Sequence, residues 1–233
     1  MSDFSRDREH MVDVQIAARG IRDRAVLDAM RTVPREAFVE PGYTVLAYED
    51  GPLPIGEGQT ISQPYIVALM IEAAELKRED RVLEVGAGSG YAAAVMSRIA
   101  REVYAIERYR ALALAARQRL ERLGYDNIQL RVDDGTRGWP AAAPFDAIVV
   151  AASGPDIPFA LREQLAFGGR LIIPVGGHRF GQRLRKLTRR GTNEYEEVDL
   201  GGVAFVPLIG EQGWAEDGRA RRGPESDTEC GQR

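Results

Sequence analysis

Arg81-Val82-Leu83-Glu84-Val85-Gly86-Ala87-Gly88-Ser89-Gly90 is a short apolar run that ends in an acid and alternate glycines. Val82, Leu83 and Val85 favour a strand, in a run too short for a helix. Gly86, Gly88 and Gly90 follow at every second position, where side chains would block close approach of a ligand to the backbone. Tyr91 to Ala100 then reads as a helix. The stretch therefore predicts a strand, a tight turn and a helix N-terminus, which together cradle a nucleoside-containing ligand. The glycine spacing alone is a weak signal, because similar turns bind different nucleotides or are merely structural.

The chain downstream repeats this alternation. Glu102 to Glu107 is a second strand ending in an acid, Arg110 to Leu123 a helix stopped at Gly124, and Ile128 to Val132 a third strand leading into Asp133-Asp134-Gly135. Phe145 to Ala151 is nearly all apolar, as a central parallel strand should be. A helix from Pro158 to Leu165 and a strand from Arg170 to Val175 follow. This order predicts an α/β fold with an open, mostly parallel sheet and helices on both faces. Gln182 to Arg190 and Tyr195 to Asp199 read as an antiparallel hairpin with opposite charges facing, and Val203 to Leu208 as a last apolar strand. The basic run Arg179 to Arg190 is read as a solvated hairpin rather than a nucleic-acid patch.

Upstream lies an N-terminal helical extension. Asp7 to Ala18 is expected to place Met11, Val14 and Ala18 on one helical face, and Asp23 to cap a helix through Met30. Glu36 to Gln59 is too rich in Pro and Gly for a regular element. Gln59-Thr60-Ile61-Ser62-Gln63-Pro64-Tyr65 then opens a helix to about Leu76, with Ser62 or Gln63 at its cap and Ile66, Leu69, Met70 and Ala73 buried.

At 233 residues and 44% hydrophobic the chain can bury a substantial core, and its net charge of -4 argues against bulk attraction to nucleic acid or membranes. One cysteine, Cys230, precludes an intrachain disulfide. No apolar run approaches the ~20 residues of a membrane span. A soluble cytoplasmic protein is the default from these features, with no metal site: His10 and His178 are the only histidines and both are expected at the surface.

Glu107 lies seventeen residues past Gly90, where a carboxylate can accept two hydrogen bonds from ribose hydroxyls. The glycines run G-x-G-x-G rather than G-x-G-x-x-G, so no pyrophosphate is demanded. That favours a phosphate-free ligand such as S-adenosyl-L-methionine. Asp134-Gly135 falls at the C-terminal edge of the sheet, within reach of an adenine amino group, although Asp-Gly is equally an ordinary turn.

Several segments together resemble the protein-L-isoaspartate O-methyltransferase family: Gly58 to Tyr65, Arg81 to Tyr91, Pro144 to Val150, Gly168 to Gly176 and Phe205 to Leu208. Ala18 to Asp23, Val33-Pro34-Arg35 and Ala47 to Gly56 look like its bacterial branch. The resemblance implies a Rossmann-like class I methyltransferase that esterifies the α-carboxylate of L-isoaspartyl residues in damaged proteins and peptides, with S-adenosyl-L-methionine as cofactor. It divides the chain into an N-terminal substrate-side segment (1–58), a methyltransferase domain (59–208) and a polar, disordered tail (209–233), working as a cytoplasmic monomer. Ser62 is the implied catalytic residue, with Thr60, Val206 and Leu208 beside it on the substrate. Expected cofactor contacts are Glu84, Gly86, Gly88, Gly90, Glu107, Asp134 and Gly135, with Ile61 and Gln63. The segment from Tyr43 to Gly58 and the strand from Val203 to Leu208 are the expected walls of the peptide groove. Asp133, where the family often has Gly, and Ser153, where a small apolar residue is usual, depart from the pattern. A small-molecule methyltransferase and a cofactor-binding module without turnover are the competing readings.

Overall fold

A computed structural model of the chain describes residues 4–177, 181–217 and 219. Its seven-stranded sheet comprises β3 (Arg81–Val85), β4 (Glu102–Glu107), β5 (Ile128–Val132), β6 (Phe145–Val150), β7 (Leu165–Gly177), β8 (Gly181–Arg189) and β9 (Tyr195–Val203). The spatial order is β5-β4-β3-β6-β7-β8-β9. The first five of these in space run parallel, β8 pairs antiparallel with β7, and β9 pairs antiparallel with β8. The chain builds outward from β3 to β5 and then crosses back to place β6 on the other side of β3. That reversal opens a crevice beyond the C-terminal ends of β3 and β6.

Alternating side chains on the strands face two hydrophobic layers. Val82, Ala105, Ala147, Val149 and Ile172 face a layer that includes Met30, Met70, Val95 and Leu120. These last four lie on α2 (Arg24–Thr32), α3 (Pro64–Ala73), α4 (Tyr91–Ser97) and α5 (Arg110–Arg122). Leu83, Val85, Ile106, Ile148 and Val150 face the opposite layer, where Leu161 of α6 (Phe159–Glu163), Ala142 and Leu208 close over them. Helices thus cover both faces, with the N-terminal extension packed into the larger layer.

Four local expectations change. Helix α1 (Ser5–His10) continues as a π-helical turn, Met11–Ile16, and buries Met11, Val12 and Ile16 while Val14 stays 52% exposed. The five-residue spacing from Met11 to Ile16 suits i→i+5 bonding, which the 3.6-residue reading missed. Helix α3 buries Val67, Ala68, Met70 and Ile71 rather than Ile66, Leu69 and Ala73. It is apolar nearly all round, so periodicity does not specify a face.

The irregular segment before Gln59 holds a hairpin, β1 (Leu53–Gly56) with β2 (Gln59–Ile61), turned by Glu57 and Gly58, both at positive φ. Such a two-residue turn matches strand twist, but Pro54 disguised its edge strand in the sequence. Val203 to Leu208 is no continuous strand: β9 ends at Val203, and Ser153 pairs across a single bridge to Pro207. Pro207 has no N–H with which to extend a ladder. Within the expected tail, Ile209 pairs with Trp214, whose indole Nε1 donates to the Ser153 carbonyl at 2.8 Å.

Other expectations hold. The Asp23 carboxylate accepts from Ala25 N and Val26 N at the start of α2. Arg183, Arg185 and Arg190 pair across the β8–β9 hairpin with Asp199, Glu197 and Glu196. His10 is exposed, whereas His178 and Cys230 lie outside the described residues. Among the described residues no helix is long and apolar enough to cross a membrane.

On the interior strand β7, Arg170 is 8% exposed and bonds the Ala74 and Glu75 carbonyls, both at 2.7 Å, and Asp80 Oδ2 at 2.9 Å. The guanidinium thereby ties the end of α3 to β7. Removing one partner of a buried ion pair strands the other charge. Arg170→Met is expected to lower unfolding free energy by about 3 kcal/mol in urea titration while leaving ligand affinity in the crevice unchanged.

Candidate active site

The crevice is lined from two directions. The glycine turn, the ends of β3, β4 and β6, and Gly135 form one side; residues 59–62 and 206–209 form the other. The sequence builds the first side through backbone constraint. Gly86, Gly88 and Gly90 have φ of +89°, +53° and +86°, which side chains rarely adopt, and a Cβ on Gly88 would stand 3.0 Å from Ile55 Cδ1. Gly86 N and Ala87 N donate to the Ile106 carbonyl at 2.9 and 3.1 Å, locking the turn to β4.

Glu107 completes that lock. It is 5% exposed, and its two oxygens accept from Gly88 N at 2.8 Å and Tyr109 N at 2.9 Å. Each carboxylate oxygen keeps further acceptor capacity, so the group can still receive a pair of ribose hydroxyls from the crevice. Glu84 sits beside it on β3, 1% exposed, with Oε2 lacking a hydrogen-bond partner. Burial, and secondarily the charge of Glu107, push the Glu84 carboxyl well above the usual carboxylate range, against a weaker opposing pull from the Ala93 N–H. Burial thus favours the neutral form of Glu84.

On the other side, Thr60, Ile61 and Ser62 enter the crevice at the exit of β2. Ser62 is half-buried, and its carbonyl accepts from Arg35 Nη2 at 2.8 Å. The N-cap of α3 is Gln63, with no side-chain capping bond; its amide instead donates to the Asp50 carbonyl at 3.2 Å. The Ser62 hydroxyl thus neither caps α3 nor hydrogen-bonds elsewhere among the described residues, and a ligand can take its proton bond. Val206 and Leu208 form the facing edge, held by Ser153 N donating to the Val206 carbonyl and Leu208 N to the Ser153 carbonyl at 2.8 and 2.9 Å.

The structure brings Thr60, Ile61, Ser62, Glu84, Gly86, Gly88, Glu107, Gly135, Val206 and Leu208 to one crevice. Gly90, Gln63 and Asp134 stand behind its lining. Gly90 is the N-cap of α4, where a Cβ would press on Leu120 and Ala116. Asp134 Oδ1 accepts from Thr136 N and Oγ1 at 2.9 and 2.7 Å, and Oδ2 from Glu211 N at 2.7 Å, so its carboxylate holds the turn that follows Ile209. Of the expected walls, 206–208 line the crevice, whereas 43–58 do not. Asp133 is exposed and paired with Arg131 at 3.0 Å, and Ser153 Oγ donates to the Gly176 carbonyl at 2.8 Å. Tyr109, Ala151 and Ala152 line the crevice without having been singled out. Their position immediately after β4 and β6 is the signal that would have found them.

A family model for protein-L-isoaspartate(D-aspartate) O-methyltransferase matches residues 6–213. Protein-L-isoaspartate O-methyltransferase 2 of Pelobacter propionicus is 60% identical over 207 residues, covering 89% of this chain and 92% of its own. A solved protein-L-isoaspartate O-methyltransferase superposes with a TM-score of 0.81 at 31% identity, over 88% of this chain and 67% of the other. A structure from Plasmodium falciparum, described as such an enzyme in complex with S-adenosyl-L-homocysteine, gives a TM-score of 0.76 at 27% identity, over 87% and 98%. Glycine turn, buried acid, Ser62 segment and whole-chain similarity converge on one conclusion: the chain belongs to the protein-L-isoaspartate(D-aspartate) O-methyltransferase family.

Proposed function

We propose that this chain works as a cytoplasmic monomer in which residues 1–58 and 59–208 are the substrate and cofactor sides of one repair methyltransferase, with Ser62 positioning the substrate. The chain transfers a methyl group from S-adenosyl-L-methionine to the α-carboxylate of L-isoaspartyl residues, starting their repair by way of a methyl ester and a succinimide. The observation that carries the reading is the meeting of Thr60-Ile61-Ser62 with Gly86, Gly88 and Glu107 in one crevice. The residues present fit the cofactor: Gly88, at a positive φ that side chains rarely adopt, leaves the backbone bare toward the crevice, and Glu107 offers acceptors to a ribose. Bound there, S-adenosyl-L-methionine supplies a methyl group activated by its sulfonium.

The chain's own task is then alignment rather than proton transfer. An isoaspartyl carboxylate, with a pKa of about 4, is ionised at neutral pH and needs no base. The unengaged Ser62 hydroxyl would donate to one carboxylate oxygen and leave the other free to accept the methyl group that the cofactor supplies. N–H groups at the start of α3, a ten-residue helix opened by Pro64, favour the same anion. Ile61, Val206 and Leu208 exclude water from the approach. Glu107 and the glycine turn fix the cofactor, while burial disfavours a second negative charge on Glu84. Asp134 serves the adenine end through the Gly135 backbone and the turn that it holds against Gly210 and Glu211.

An isoaspartyl peptide supplied with labelled cofactor should yield a base-labile methyl ester, and its aspartyl twin none; label on neither peptide would favour a small-molecule enzyme or a non-catalytic module. Ser62→Ala should lower kcat by about 100-fold and leave S-adenosyl-L-homocysteine affinity within about threefold; equal losses in both would refute positioning. Glu107→Gln should weaken that affinity by about 10- to 100-fold, the equivalent of losing charge-assisted hydrogen bonds, read by calorimetry. Glu84 is raised above its ordinary value of 4.5 in the fold, so its contribution to stability is complete below that pH and is lost as pH rises through the folded value. Glu84→Gln should therefore gain on the wild type in melting temperature as pH is raised above about 5, the unfolded carboxylate range.

A further inference from the structure

Among the described residues, Arg35 is a fully buried side chain placed between the two halves of the crevice. Pro34 ends the extended residue after α2, and a 3-10 turn, Arg35–Phe38, carries the arginine inward to 0% exposure. Its Nε donates to the Ala47 carbonyl at 2.7 Å and its Nη2 to the Ser62 carbonyl at 2.8 Å. The guanidinium carbon lies 4.9 Å from the centre of the Tyr91 ring. Nη1 has no hydrogen-bond partner, and no carboxylate pairs with the group among the described residues. Burial lowers its pKa from the ordinary guanidinium value, opposed by Tyr91, but arginine keeps its proton in proteins.

A buried cation without an anion is a costly choice for a merely structural strut. The two carbonyls that it holds lie on either side of the β1–β2 hairpin, and Tyr91 is the first residue of α4, directly after the glycine turn. Ser62 and Tyr91 both line the crevice. One planar fork therefore sets the height of Ser62 against the element that seats the cofactor.

We propose that Arg35 is a positioning residue for methyl transfer, acting through Ser62 by holding the Ser62 carbonyl in register with the start of α4. This rests on the reading of Ser62 given above. Lysine keeps the charge but, as a point donor, cannot span both carbonyls in the arginine's fork geometry. Its substitution therefore separates geometry from charge.

The test is a double-mutant cycle on the full chain, measuring kcat and KM with an isoaspartyl peptide and the dissociation constant of S-adenosyl-L-homocysteine. Arg35→Lys should lower kcat at least about tenfold, as misplacement of a positioning group does, and leave inhibitor affinity within about threefold. In the Ser62→Ala background the same substitution should cost less than about twofold, because coupled residues are non-additive. An equal loss in both backgrounds would overturn the proposal, as would a parallel fall in inhibitor affinity. A Ser62→Ala variant with unchanged kcat would instead refute the Ser62 reading itself. Should Arg35→Lys fail to give a cooperative melt, Arg35→Gln, which can still donate to one carbonyl, carries the same cycle with the same two outcomes.

Discussion

A carboxylate buried at the end of β4 governs the crevice. Glu107 receives the N–H of Gly88 on one oxygen and that of Tyr109 on the other, so a single side chain fixes the glycine turn and the start of the β4–α5 connection. The turn needs such an external support. Three residues at positive φ have no strong local preference for one arrangement, and in water their N–H groups would be satisfied by solvent. Fixing them beforehand reduces the ordering that a ligand must impose when it binds. The neighbouring Glu84 is pushed toward its neutral form, chiefly by burial and secondarily by the charge of Glu107.

The second half of the site depends on parts distant in the chain. Arg8 bonds Tyr48, which in turn bonds Glu36; Gln15 reaches the Tyr48 carbonyl at 2.9 Å. Arg19 lies 3.6 Å from the centre of the Tyr65 ring and pairs with Asp50. These contacts tie the N-terminal helices to the segment that leads into Ser62. The extension is thus a frame for the segment that carries Ser62, and its residues share the same hydrophobic layer as α3, α4 and α5.

The central strands and the glycine turn were legible because their signals are local: short apolar runs, an acid at a strand end, and glycines where backbone must turn. The β8–β9 hairpin was legible from alternating charge. The site was legible to the extent that its residues lie at strand ends or in the Thr60-Ile61-Ser62 segment, whose family resemblance is specific. Other features had no local signal. The buried face of α3 is chosen by neighbours, since the helix is apolar on every side, and the π turn is visible only as the five-residue step from Met11 to Ile16. Asp134 offered an Asp-Gly turn, and nothing nearby in sequence announced that Glu211 would occupy its second oxygen. Tyr109 and Ala152 were hidden for the opposite reason: they are ordinary residues placed by topology.

One feature of the sheet bears on the kind of polypeptide that a repair enzyme meets. Strand β9 pairs with β8 and leaves its other edge without a strand partner in the sheet, an open template for any extended chain. Damaged proteins are often partly unfolded, so a sticky edge would gather them indiscriminately. Tyr195 to Val203 instead carries Glu196, Glu197 and Asp199, and a register shift interrupts its pairing opposite Leu184 and Arg185. Acids and an irregular ladder make that edge a poor place for a stray strand to join. The hairpin's charges therefore do more than bind its two strands together: they place carboxylates along the outer strand of the sheet, where a further strand would have to bury them to pair.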